Sequence, residues 1–232
     1  MDSGDKNSQR RSHQDRLANL AKSFEEETEH KVVITFTTAL VLRGKVETGE
    51  AAADVVVALV PTMKDFGKNG RIVTGSSAVL GMVRAAVVVR NGAPEPDIST
   101  TEALKREILA ARSLVYNEAS SGLYIEKLMV RLGVAEEVKV KTTLVPTGGT
   151  VMKHLASSRT EKEIGFGQVP EILAYKDQGV KLVGPLPKEI ENVTTYAAGL
   201  LADARGPGPT AQLVRFLATL SARQAFRATG VE

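Results

Sequence analysis

Two short stretches of small, hydroxylated residues carry the chemistry that this sequence offers. Asn117-Glu118-Ala119-Ser120-Ser121-Gly122 follows an apolar run, Ser113–Tyr116, and precedes an amphipathic pattern with Tyr124, Leu128 and Leu132 on one face. Pro146-Thr147-Gly148-Gly149-Thr150 follows a predicted strand, Val138–Val145, and opens a second helical pattern. A turn of this kind at a helix start offers free backbone N–H groups and the positive end of the helix dipole. Two such turns at one edge of a parallel sheet form a site for an anion. Each alone reads first as an ordinary N-cap, by Ser120 or Thr147, and it is the pair together that points to a ligand site.

The elements that must hold these turns alternate along the chain. Residues 1–11 read as a disordered arm containing Arg10 and Arg11. Leu17, Leu20, Ala21 and Phe24 have helical spacing. Lys31–Phe36 reads as a buried strand, and Thr37-Thr38 as the cap of a helix that stops at Gly49. Asp54–Val60 reads as an apolar strand of a parallel sheet covered on both faces. A short helix over Thr62–Lys68, a long β-rich stretch Arg71–Arg90 and a helix over Thr101–Ala111 capped by Ser99 or Thr100 precede the first turn. After the second turn come strands at Glu163–Gly167, Val180–Val183 and Thr194–Leu201, a short helix over Gln168–Lys176 and two C-terminal helices. This alternation predicts an α/β fold with mixed, mostly parallel sheets flanked by helices. The number of βα units favours two lobes, residues 12–83 with 195–232 and residues 84–194, and a small-molecule cleft between them.

Bulk composition narrows the function. The chain has 232 residues, 43% of them hydrophobic, and a formal net charge of +3. The mild charge is not gathered into a long basic run, which argues against nucleic acid as the partner. There are no cysteines, and His13, His30 and His154 lie far apart. Neither thiolate nor histidine-based metal chemistry is expected, and no cofactor is implied. No segment is long and apolar enough for membrane insertion. Met1–Asp15 is polar, so the chain as it stands reads as cytoplasmic, or as periplasmic if a leader is missing.

A series of phrases in order resembles the solute-binding proteins of molybdate ABC transporters. They are Phe24-Glu25 with His30-Lys31-Val32-Val33, Gly49-Glu50-Ala51-Ala52-Ala53-Asp54, Arg90-Asn91-Gly92-Ala93-Pro94, Ser121-Gly122-Leu123-Tyr124, Val183-Gly184-Pro185-Leu186-Pro187 and Phe216-Leu217-Ala218 with Phe226. The resemblance spans about Ser12 to Val231. It implies a two-lobed type II periplasmic-binding-protein-like fold, monomeric, holding a small anionic ligand and serving an ABC-transporter permease. Residue by residue it implies ligand contacts from Thr37 or Thr38, from Ser120, Ser121 and Gly122, and from Thr147, Gly148 and Gly149. Thr38, Ser121 and Gly149 are the principal expected contacts. Gln168 stands where molybdate binders often carry Tyr. Ser12 stands where the family has its first serine-bearing loop, and Leu40-Val41 replaces small residues. A branch of this look resembles aconitate isomerase, which implies double-bond migration in a polycarboxylate. The general base would then come from His154, Glu118 or Glu171, which on their own read as a surface residue, a turn carboxylate and a first-turn charge. An effector-sensing domain of the same fold is a third reading, with too few leading residues for a DNA-binding module.

Overall fold

The computed structural model describes residues 20–37, 39–227 and 229–232. In chain order the helices and strands are α1 (residues 20–28), α2 (Ala39–Thr48), β1 (Val55–Leu59), α3 (Val60–Lys68), β2 (Ala78–Arg90) and α4 (Thr101–Ala110). Then follow β3 (Ser113–Asn117), α5 (Ser120–Arg131), α6 (Ala135–Lys139), β4 (Thr142–Val145), α7 (Gly148–Ser157), β5 (Glu163–Gln168) and α8 (Val169–Ala174). The chain closes with β6 (Val180–Pro185), β7 (Val193–Leu200), α9 (Pro207–Leu217) and α10 (Leu220–Arg227). It divides into two compact units. The central unit is Val83–Val193 with Thr229–Val231. The terminal unit holds the other described residues.

In the terminal unit β1 pairs antiparallel with β7, Val57 opposite Ala198. Its side chains alternate. Val56 and Ala58 join Val46, Met63 and Phe66 in one core. Val55 and Val57 pack on a second core of Leu20, Val214 and Leu217. Both faces are therefore covered, which explains the unbroken apolar run, but the expected parallel pairing is replaced by an antiparallel one. Phe24, 2% exposed, stacks edge-on against Phe216 with ring centroids 5.4 Å apart. A second expectation fails at Lys31–Phe36, which forms no strand. Val33 is 91% exposed there, and the Val32 N–H donates to the Glu25 carboxylate at 2.7 Å. Apolar, β-branched residues do not make a strand without a neighbour to complete the ladder, and no described residue supplies one.

The central unit places the candidate turns. β3 runs parallel to β4 and to β5, while β2 runs antiparallel to β5 and to β6. Parallel pairing joins β3 to both of its neighbours. A helical crossover fixes direction only between the strands it links, and β2 lies between strands distant in sequence. Leu114, Tyr116 and Phe166 face α4, α5 and α6, with Leu104, Ile125, Leu128 and Val138 in the shared core. Val115 and Val88 face α7 and α8, with Met152, Leu155 and Ile172. Successive residues of β3 thus feed opposite layers, as the strand pleat requires.

The expected strand Val138–Val145 is shorter, since Ala135–Lys139 folds as α6 before β4 begins at Thr142. Glu136 and Glu137 occupy the first turn, where the helix dipole favours acids, and Lys139 the last. Val138, 2% exposed, is buried as a helical knob and not as a strand residue. At α4 the cap is Thr100, whose hydroxyl accepts from the Ala103 N–H at 3.0 Å. The face of α5 predicted from spacing is confirmed at Leu128 and Leu132, and the Tyr124 hydroxyl donates to the Ile190 carbonyl at 2.9 Å.

Candidate functional site

β5, β3 and β4 lie side by side and point the same way, so their carboxyl ends share one edge. From β3 the chain turns into α5 on one face. From β5 it turns into α8 on the other. Adjacent parallel strands whose connections leave on opposite faces mark a topological switch point, where α/β sheets open a crevice. The turn after β4 starts at the same level, since Asn117 is in register with Val145 and the Glu118 N–H donates to the Val145 carbonyl at 2.9 Å.

The first turn is organised by Asn117, 3% exposed. Its Oδ1 accepts from the Ala119 N–H at 2.9 Å and the Gly122 N–H at 3.2 Å. Its Nδ2 donates to the Ser121 hydroxyl at 3.0 Å, and that hydroxyl donates back to Oδ1 at 3.3 Å. The N-cap position of α5 belongs to Ala119, without a side-chain cap bond, so Ser120 is not the cap but the first helical residue. The Ser121 hydroxyl is spent on Asn117. The N–H groups of Ser120 and Ser121 have no intrahelical acceptor at this position. Gly122 is required sterically, because a β-carbon there would lie 1.5 Å from the Asn117 carbonyl oxygen.

At the second turn Thr147 is the N-cap, as its composition suggests. Its hydroxyl accepts from the Thr150 N–H at 3.3 Å and meets the Thr150 hydroxyl at 2.6 Å. Gly148 and Gly149 are buried first-turn residues whose N–H groups also lack intrahelical acceptors. A β-carbon on Gly148 would lie 1.8 Å from Oε2 of Glu171, so the carboxyl of α8 occupies the space that the glycine leaves. Burial pushes the Glu171 carboxyl up to about 7. Gln168 ends β5 at the same edge, half-buried, in the N-cap position of α8 without a side-chain cap bond.

The structure thus gathers Ser120, Ser121, Gly122, Thr147, Gly148, Gly149 and Gln168 at one sheet edge, with Glu118 exposed beside them. His154 is elsewhere. Its Nε2 lies 3.0 Å from Oε1 of Glu163, the first residue of β5, while Gln168 is the last. At about 3.3 Å per strand residue those ends are roughly 17 Å apart. Thr37 is an exposed residue of the terminal unit, and Thr38 and Ser12 lie outside the described residues. Sequence reasoning missed Asn117 and the Glu171–Gly148 contact. The signal for the first was available, as an Asn at a strand end with N–H groups two and five residues on is an Asx-turn pattern. No cluster of metal-ligating side chains occurs among the described residues, nor does a described helix long and apolar enough to cross a membrane.

Solved structures share this architecture. The substrate-binding domain assigned to a molybdenum ABC transporter from Clostridium difficile superposes with a TM-score of 0.78 at 15% identity, covering 95% of this chain and 94% of that one. The periplasmic molybdate-binding protein of Azotobacter vinelandii gives 0.68 at 16% identity, with 95% of both chains covered. Among characterised sequences, an aconitate isomerase from a Pseudomonas species is 28% identical over 183 residues, 78% of this chain and 67% of its own length. The fold is that of periplasmic binding proteins. The chain belongs to the bacterial extracellular solute-binding protein family, whose profile matches residues 12–232.

Proposed function

We propose that this solute-binding protein captures a small oxyanion or carboxylate at the carboxyl edge of β3, β4 and β5. The observation that supports this is the pair of helix starts, α5 and α7, at one sheet edge, whose first-turn N–H groups at Ser120, Ser121, Gly148 and Gly149 have no intrahelical acceptor. Such donors are neutral and fixed before the ligand arrives, so they stabilise negative charge without a buried countercharge. Thr147 and Gln168 complete the proposed contacts. The family and its structural relatives support a receptor that acts outside the cytoplasmic membrane and delivers its ligand to an ABC-transporter permease.

The test is a thermal-shift panel of molybdate, tungstate, sulfate, phosphate, citrate and cis- and trans-aconitate. Ligand at about 100 times its Kd stabilises the fold by about 2.7 kcal/mol, a shift of several degrees. No shift with any of them argues against the reading.

A second reading, isomerisation of an aconitate-like acid, is favoured by one observation. Glu171, at the same edge, has the pKa of about 7 that suits a general base. It would take a proton from the carbon beside one carboxylate and return it to the far end of the allylic system. Ultraviolet turnover of cis- to trans-aconitate, lost in E171Q, would establish it.

A further inference from the structure

We infer that Gly230 is a positioning residue for the anion site, because its lack of a side chain sets how closely α8 seats against the start of α7. The inference rests on the reading of the sheet edge as an anion site and adds to it a residue far along the chain that sets its geometry. The chain enters the central unit again at Thr229–Val231, where Gly230 has a φ of +82°. A β-carbon at Gly230 would lie 2.7 Å from Cγ1 of Val169, 2.8 Å from Cδ1 of Leu173 and 3.4 Å from the backbone nitrogen of Pro170. Glycine is therefore required there twice, for the left-handed backbone and for the close approach to the first turn of α8. The segment is fixed just beyond that point. The Glu232 N–H donates to the Met82 carbonyl at 2.8 Å, and the Glu232 carbonyl accepts from the Met82 N–H at 2.6 Å.

Two further glycines meet α8 from other directions. A β-carbon on Gly148 would lie 1.8 Å from Oε2 of Glu171, and one on Gly167 would lie 3.4 Å from Cγ1 of Ile172. Side chains of a helix turn by about 100° per residue, which puts Glu171 roughly opposite Val169 and Leu173. Gly230 and Gly148 thus hold α8 between them, while the buried Ile172 packs towards β5. A methyl group at Gly230 drives the helix towards Gly148, and the packing of Ile172 leaves little slack for it to turn aside. Two parts of the proposed site move with α8. Gln168 immediately precedes Val169, and the Glu171 carboxyl lies against the first residue of α7. The spacing between Gln168 and the N–H groups of Gly148 and Gly149 is therefore set in part by Gly230. A ligand that bridges those groups needs all of them at hydrogen-bond distance.

The experiment compares G230A, G230N, V169A and V169A/G230A with the wild type by isothermal calorimetry with molybdate, sulfate and trans-aconitate. The fold of each variant is checked by its melt. G230A weakens binding of the anion that the wild type takes by about tenfold or more, the worth of one hydrogen bond to a charged oxygen. G230N, which tolerates the left-handed backbone but still carries a β-carbon, loses affinity in the same way. V169A alone binds as the wild type does, and V169A/G230A, in which the nearest clash is relieved, recovers most of the lost affinity. A glycine needed only for folding would lower the melting temperature of G230A and leave the affinity of the folded protein unchanged, and that result overturns the inference. So does wild-type affinity in G230N, or no recovery in V169A/G230A. If G230A does not melt cooperatively, L173A carries the test, since it withdraws the same contact without straining the backbone. It is expected to lose affinity too, and wild-type affinity in a folded L173A overturns the inference. No binding of any probe by the wild type removes the anion site and the positioning role together, which separates that failure from the others.

Discussion

Oδ1 of Asn117 accepts the Gly122 N–H at 3.2 Å across five residues, and the carbonyl of the same asparagine fills the space where a Gly122 side chain would go. The strand end and the helix start are therefore locked by one residue from two sides. A methyl group at Gly122 meets a backbone oxygen, which cannot swing away as a side chain can. G122A is expected to lose at least about 3 kcal/mol, a core-scale defect, measured by urea denaturation. A loss under about 1 kcal/mol would mean that the turn has another accessible geometry.

Asn117 separates structure from charge. N117A leaves the Ala119 and Gly122 N–H groups without their acceptor, at a cost of about 1–3 kcal/mol. N117D keeps that acceptor but brings a negative charge to the start of α5. Its stability is expected to fall less than that of N117A, while affinity for a divalent anion drops by tenfold or more, in line with about 1–3 kcal/mol of repulsion at close range. Equal affinity in N117D and the wild type would place the ligand away from this turn.

The α/β pattern and both turns were legible because strand-to-helix turns announce themselves through small hydroxylated residues and glycine. The segment at Lys31–Phe36 was not, because a run of Val, Ile and Thr reports only what the side chains prefer, and pairing is decided by distant chain. Val138 misled for the same reason, being apolar enough for a strand and buried as part of a helix. The site was half legible. Thr147 is the cap its neighbours suggest, but Ser121 spends its hydroxyl on Asn117, a contact set by the three-dimensional turn. The value of Gly148 lies in a residue more than twenty positions later, Glu171, and no local pattern encodes that.

The His154–Glu163 pair is expected to be structural. Glu163 is 5% exposed and its Oε2 has no hydrogen-bond partner, so His154 supplies the contact that keeps Oε1 satisfied. H154A strands a buried carboxyl and is expected to cost about 1–3 kcal/mol. Anion affinity should stay within about twofold of wild type, since the pair stands at the far end of β5 from the candidate turns. Loss of aconitate turnover in H154A with an unchanged melting temperature would return the histidine to the catalytic list.

Glu171 gives the stability of the fold a pH dependence whose sign is fixed. Its pKa rises from 4.5 to about 7 on folding, so the native state holds the proton more tightly than the unfolded chain. Its contribution is fully present below about pH 4.5 and is lost as pH climbs to about 7. Above that, the native state carries an ionised carboxylate in a poorly solvated place. Because the side chain is only partly enclosed, the penalty is expected at about 1–3 kcal/mol, below the full value of the shift. E171Q removes it. The variant should match or trail the wild type near about pH 5 and surpass it near about pH 8, with the gap opening through the interval between. G148A tests the same contact from the other side. Its methyl would force the flexible carboxyl off the start of α7 and towards water, which should flatten the pH dependence. Melting curves of the three proteins across that range decide it. Parallel curves for wild type and E171Q would mean that Glu171 is as well solvated folded as unfolded.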